Sequence, residues 1–256
     1  MKYVFVFLLL LFLLFGNEAT AQVSMGFENR PTTLNATAVS GQYFDVSSAA
    51  TAHELMDYMA TGVDIPVNSP SSGSTLGFRS DFRPTRMGGQ GLTDGEVFGY
   101  AGSGALTSSG MPAPTEGTTA FFVEDTDGEV TLTFDDVTIP AGGSIFTMDF
   151  NVDASFEILD GGNDRIYIGL NVTACPAATT VVLFDTDGGG SGGGGGTDGD
   201  LAMVNGSTLV DKAWNTLTVD LGAYSTCKVQ LEIEVDMDSN SEEVAFDNIN
   251  FTGGEV

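Results

Sequence analysis

The stretch Lys228-Val-Gln-Leu-Glu-Ile-Glu-Val-Asp236 decides the fold class. Val229, Leu231, Ile233 and Val235 alternate with Gln230, Glu232, Glu234 and Asp236. Successive side chains of a strand point to opposite faces, so this period of two predicts a half-buried strand, apolar inward and acidic outward. The pattern recurs upstream. Val130, Leu132 and Phe134 share a face in Glu129–Val137, as do Phe146, Met148, Phe150 and Val152 in Ser144–Val152. Ile166, Ile168, Leu170 and Val172 form a third stripe, and Leu217, Val219 and Leu221 a fourth.

Helix signals are scarce. Only His53–Met59 (HELMDYM) has apolar residues, Leu55, Met56 and Met59, at helical spacing. Many short strands without crossover helices predict an all-β protein, an antiparallel jelly-roll β-sandwich. We expect it to form a single domain over residues 22–256. Asp185–Asp200 (DTDGGGSGGGGGTDGD) has no apolar residue and cannot bury surface. Because strand signals continue on both sides, it is expected to be a long Gly/Asp-rich loop within that domain, the alternative being an interdomain linker.

The first residues predict export. Lys2 is followed by the apolar run Val4–Phe15 and by Ala19-Thr20-Ala21, a small-x-small cleavage pattern. Residues 1–21 therefore read as a signal peptide, and the mature chain as secreted and extracellular. No later segment approaches the ~18 apolar residues of a membrane span. The two cysteines, Cys175 and Cys227, suit one disulfide in an oxidising compartment. Four sequons begin at Asn35, Asn171, Asn205 and Asn250. In a eukaryotic host they are candidate N-glycosylation sites, making the chain a glycoprotein; in a bacterium they carry no such meaning.

Charge narrows the partners. The sequence has 35 acidic and 8 basic residues, a net charge of −27. Nucleic acid is excluded as a partner, since its binders are basic. Cations, cationic proteins or a mineral surface suit the charge, and so does simple solubility. With 42% hydrophobic residues and 18 Phe, the chain is globular in composition.

No G-x-S-x-G, H-E-x-x-H or P-loop motif is present, and His53 is the one histidine. A glycosidase needs only two carboxylates, but Trp214 is a lone tryptophan for stacking sugars along a cleft. The expectation is that the chain is not an enzyme.

Calcium is the chemistry the acidic loops suit. It takes 6–8 oxygen ligands, and carboxylates at alternate positions can turn toward one point. Asp125 and Asp127 in Glu124–Glu129 do this, as do Asp185 and Asp187. Asp236, Asp238 and Asn240 follow the same spacing, with Glu242 and Glu243 after them. Each Asp-x-Asp-Gly is equally a favourable turn without metal.

The mature chain begins Met25-Gly26-Phe27-Glu28-Asn29 and ends Val244-Ala245-Phe246-Asp247-Asn248-Ile249-Asn250-Phe251. These ends resemble the first and last strands of secreted jelly-roll modules, a group that includes MAM-like, laminin-G-like and carbohydrate-binding domains. The resemblance implies neighbouring terminal strands and a nearby cation, with Glu28 and Asp247 as candidate ligands. Apolar parity switches between Val244/Phe246 and Ile249/Phe251, which predicts a β-bulge at Asp247-Asn248.

Two further stretches, Gly91–Glu96 and Asn163–Ile168, resemble an N-terminal module of secreted bacterial surface proteins. The overall profile is similar to acidic proteins of skeletal or shell organic matrix. The leading expectation is thus a secreted, acidic, calcium-binding extracellular matrix protein, a component of a biomineral organic matrix, with outward Glu232, Glu234 and Asp236 as part of a carboxylate array. The alternative is an extracellular carbohydrate-binding or adhesion module, with Tyr43, Tyr58, Tyr100 and Trp214 as candidate platform aromatics, although Trp214 opens a strand and is expected to pack in the core.

Overall fold

Alternating apolar strands can bury their inward stripes only against a second sheet, and two antiparallel sheets do this here. The computed structural model describes residues 22–28, 67–69, 71–84, 97–108, 110–124, 128–153, 164–175, 177–186, 203–204, 206–210, 212–237 and 242–256. The signal peptide, the candidate helix 53–59, and Asp125, Asp127, Asp187, Asp238, Asn240, Asn35, Asn205, Tyr43 and Tyr58 lie outside the described residues, as do all of the Gly-rich loop but its first two residues and the stretch 91–96.

In chain order the strands are β1 (Gln22–Met25), β2 (Val67–Ser69), β3 (Phe78–Pro84), β4 (Val97–Gly102), β5 (Thr119–Glu124), β6 (Gly128–Phe134) and β7 (Val137–Thr138). They continue with β8 (Ile145–Val152), β9 (Arg165–Thr173), β10 (Thr179–Asp185), β11 (Asn215–Asp220), β12 (Lys228–Asp236) and β13 (Glu243–Thr252). The first sheet runs β11-β8-β13-β5-β4, with β1 also on β13. The second runs β10-β9-β12-β6-β3-β2, with β7 on β12.

The predicted inward stripes meet between the sheets. Val229, Leu231, Ile233 and Val235 pack in one cluster with Phe134, Phe146, Phe150, Ile168 and Leu217. Phe27, Phe78 and Phe121 meet there at ring separations of 5.6–5.7 Å. Each fully buried side chain of this size contributes roughly 1.5–3 kcal/mol. The Cys175–Cys227 disulfide forms at the edge of this core, with the two Cα atoms 5.1 Å apart.

A second, smaller cluster covers the outer face of the first sheet. Leu106 of a short helix, α1 (Ser103–Ser108), and Met111 pack on Ala120, Phe122 and Ala245. Trp214 lies against this cluster and donates Nε1–H to the carbonyl of Ala113 at 2.7 Å. The helix is too short to be held by propensity; burial of Leu106 holds it, so no periodicity in the sequence announces it.

The end strands lie side by side, as the resemblance implies. β5 pairs with Glu243–Phe246 of β13, and β1 pairs with Ile249–Thr252. β8 occupies the other edge of β13, and its register shifts between Asp247 and Asn250. Asn248 there has φ +50°, a left-handed conformation that Asn tolerates. The bulge read from parity is therefore present, and it falls where β5 gives way to β1 along β13.

Candidate functional site

Glu28 and Asp247 converge on one loop, Thr115–Thr119. Asp247 Oδ2 accepts from the amides of Thr115 and Glu116, each at 2.8 Å, and from the Thr115 hydroxyl at 3.0 Å. Its Oδ1 accepts from the Asn248 amide at 2.8 Å. Glu28 Oε1 accepts from the amides of Thr118 and Thr119, also at 2.8 Å, and its Oε2 accepts from the Thr118 hydroxyl. Together the carboxylates accept from five backbone N–H groups. Burial pushes the Asp247 carboxyl up to about 6 against these donors. Burial also raises Glu28, but here the Thr118 and Thr119 donors win and hold it below the ordinary range.

The other candidate ligands are dispersed. Asp185 lies on the outer face of the second sheet, gripping Arg165. Asp236 ends β12 opposite Glu129 and Arg165. Glu243 opens β13, Glu242 precedes it, and both are buried. Among the described residues no group of three acidic, histidine or cysteine side chains is arranged to hold a metal ion.

Glu243 belongs instead to a row of carboxylates on the outer face of the first sheet. Glu124 is its partner on β5, and the Asp153 amide bonds its carbonyl. Lys212 Nζ reaches Asp153 Oδ2 at 2.8 Å. Burial, then the charges of Asp153 and Glu124, push the Glu243 carboxyl up to about 8. This shift favours the protonated form beside Asp153. Further along the same face, Asp149 accepts from Thr216 at 2.6 Å and from the Asn248 side-chain amide at 2.9 Å.

The outer face of the second sheet has another character. Tyr167, Gly169 and Asn171 occupy alternate positions of β9, beside Glu234, Glu232 and Gln230 of β12. The Tyr167 ring lies over Gly169: a Cβ at that residue would collide with the phenol oxygen and ring carbons. The missing side chain is what lets an aromatic ring lie along the sheet. Val182, 47% exposed, flanks Gly169 from β10, and Glu232 flanks it from β12.

Arg165 fixes one end of this patch. Its Nε and Nη2 grip Asp185 at 3.0 Å each, and Nη1 reaches Glu234 at 3.1 Å. Bridging these two residues, which flank Tyr167, its guanidinium lies over the Tyr167 ring, the carbon 5.1 Å from the centroid. At the other end Asn171 accepts from the Thr180 hydroxyl at 2.9 Å and approaches Glu232 at 3.4 Å. The result is one aromatic ring, one aliphatic neighbour and a border of side-chain hydrogen-bonding groups on a regular sheet.

The expected platform aromatics are not this set. Trp214 packs on the small cluster above the first sheet, and Tyr43 and Tyr58 lie outside the described residues. Tyr100 is in β4 of the first sheet, the opposite layer from Tyr167. Sequence reading missed Tyr167, although a Tyr two residues before a strand Gly, on a polar stripe, was available as a signal. Of the sequon residues, Asn171 stands on this same face, and Asn250 is half-buried between Ser24 and Thr147 of the first sheet.

No family model matches the chain, and no curated protein matches it. Solved structures of low identity do. A carbohydrate-binding module of the β-sandwich superfamily is 10% identical, covering 91% of this chain and 99% of its own, at TM-score 0.35. The K1 cleaved adhesin domain of Lys-gingipain from Porphyromonas gingivalis W83 is 13% identical, covering 90% and 97%, at TM-score 0.33. The N-terminal endo-1,4-beta-D-xylanase 10B of Clostridium thermocellum is 9% identical at TM-score 0.33; this chain matches over 62% of its length and spans 24% of that one.

Proposed function

We propose that this chain is a non-catalytic carbohydrate-binding or adhesion module that works outside the cell and takes glycan on the outer face of its second sheet. The observation that carries the reading is the Tyr167 ring lying over Gly169. Pyranose rings offer C–H faces to an aromatic surface and hydroxyls to a polar border; small-ligand sites need both elements. Glu232, Glu234, Asn171, Thr131 and Thr133 supply that border from three adjacent strands. The disulfide suits an oxidising compartment.

The test is calorimetric titration of the full chain with a panel of neutral, acidic and amino-sugar oligosaccharides, repeated with Tyr167→Ala. Binding to at least one glycan, reduced about tenfold or more in the variant at unchanged far-UV circular dichroism, supports the reading. Binding to none, or binding indifferent to Tyr167, overturns it.

A second proposal is that calcium binds beside the Thr115–Thr119 loop. Its support is that Glu28 and Asp247, from opposite ends of the chain, share that loop. A cation there would have to displace amide donors that now occupy their oxygens. A thermal melt with millimolar calcium, then with chelator at matched ionic strength, tests it: a rise lost in Asp247→Asn supports a specific site by mass action. No rise beyond that given by sodium overturns it, and adsorption to calcium carbonate then tests a mineral-facing role separately.

A further inference from the structure

We propose that the Tyr167 face takes glycans that carry free amines, such as β-linked glucosamine oligomers, with Glu232 as the residue that reads the ammonium group. This rests on the carbohydrate reading and names its ligand class.

The placement is specific. Glu232 stands directly across from Gly169, the residue over which the Tyr167 ring lies. Ring and carboxylate therefore border the same spot, one strand spacing apart, about 4.8 Å. An amino sugar presents a C–H face and, on a neighbouring carbon, a cation. The part of the ring left beside Arg165 accepts the first and the carboxylate the second. Hydroxyls of the same sugar are left to Asn171 and Thr133 on either side.

Neighbouring charges support the choice of Glu232. Arg165, the cation of this patch, is held by Asp185 and Glu234. Arg79, in the row of Glu232, is two strands away, across from Thr133. Glu232 accepts from the neutral side-chain amide of Asn171 at 3.4 Å. Burial first, then the charges of Glu232, Glu234 and Asp185, raise the Tyr167 phenol against the opposing charge of Arg165. The net charge of −27 repels uronate and sulfated glycans at any approach. A neutral glycan would use the ring and leave Glu232 without a charged partner.

The experiment compares two hexamers that differ only at nitrogen, glucosamine and N-acetylglucosamine, at mildly acidic pH. Calorimetry with the full chain is expected to favour the free amine by about tenfold, with the preference shrinking as salt rises. Glu232→Gln should abolish the preference, and Tyr167→Ala should weaken both ligands. Asp220→Asn, an exposed carboxylate on β11 of the other sheet, makes the same charge change and should leave the preference intact.

Three outcomes overturn the proposal. The hexamers bind equally, or Glu232→Gln keeps the preference, or Asp220→Asn removes it as fully as Glu232→Gln, which would mean diffuse charge attraction. In each of these the carbohydrate reading survives if Tyr167→Ala still weakens binding. Failure of both hexamers, together with the wider oligosaccharide panel, overturns the two together.

Discussion

Asp247 and Thr115 are joined twice: one carboxylate oxygen accepts both the backbone amide at 2.8 Å and the hydroxyl at 3.0 Å. The same oxygen takes the Glu116 amide. Asp247 itself is fully buried at the bulge of β13. Removing it leaves three amides without their acceptor, those of Thr115, Glu116 and Asn248. Asp247→Ala is therefore expected to cost about 2–4 kcal/mol, since hydrogen bonds to a charged group are worth about 1.5–3 and several donors lose this acceptor together. Glu28→Ala should cost less, because Glu28 is exposed. Urea unfolding of the two variants measures the difference.

Gly117 sits inside the same loop at φ +57°, and a Cβ there would run into the Glu28 carboxylate. Two effects then add: left-handed strain on an L side chain, and displacement of the clip that holds Thr118 and Thr119. Gly117→Ala should lower stability by at least about 1 kcal/mol. In a Glu28→Ala background the penalty should shrink, because only the backbone term survives. A double-mutant cycle on thermal midpoints gives that coupling.

Stability should fall as pH rises through neutrality. Glu243, held up to about 8, and Asp247, held up to about 6, bind protons in the folded state that the unfolded chain has released. Stability contributed by such groups is complete below their unfolded values and is lost as pH climbs through the folded ones. The slope is at most about 1.4 kcal/mol per pH unit for each proton. Melting points measured from mildly acidic to mildly alkaline pH should decline. Glu243→Gln keeps the neutral, hydrogen-bonding form beside Asp153 and Lys212, and should flatten the upper part of the decline. A curve unchanged by that substitution would refute the assignment.

The disulfide closes a 52-residue separation that includes the Gly-rich stretch. Cys175→Ser with Cys227→Ser should cost about 2–4 kcal/mol, chiefly by freeing the unfolded chain. Denaturation of the intact protein with and without reductant should give the same difference.

The core was legible because a strand has only two faces. Val229, Leu231, Ile233 and Val235 could be placed inside from spacing alone, and they are. The bulge was legible for the same reason, as a parity change between Phe246 and Ile249. What alternation could not show is which outward stripes meet water. Asp149, Asn151 and Asp153 fall on the outward stripe of β8, yet all three are buried. Leu106 and Met111 pack over that sheet, and Thr115 and Glu116 reach Asp247 on it; no local pattern marks the residues covered in this way. The partners of Glu28 and Asp247 were hidden similarly: a resemblance at the ends pointed to a cation, while their donors come from Thr115–Thr119 in the middle of the chain.

By itself the sequence determined the class of fold, two antiparallel sheets with their apolar stripes facing, because side-chain direction in a strand depends only on position parity. It also determined the large negative charge and, by count, the cysteine pair. Only the tertiary structure decided which carboxylates became loop clips, which had its proton affinity raised, and which were left at the surface beside an aromatic ring. Those outcomes depend on strand order and register, which bring Glu124, Glu243 and Asp153 into one row and set Glu232 across from Gly169. Such pairings join residues far apart in the chain, and they are set by how the two sheets close over one core.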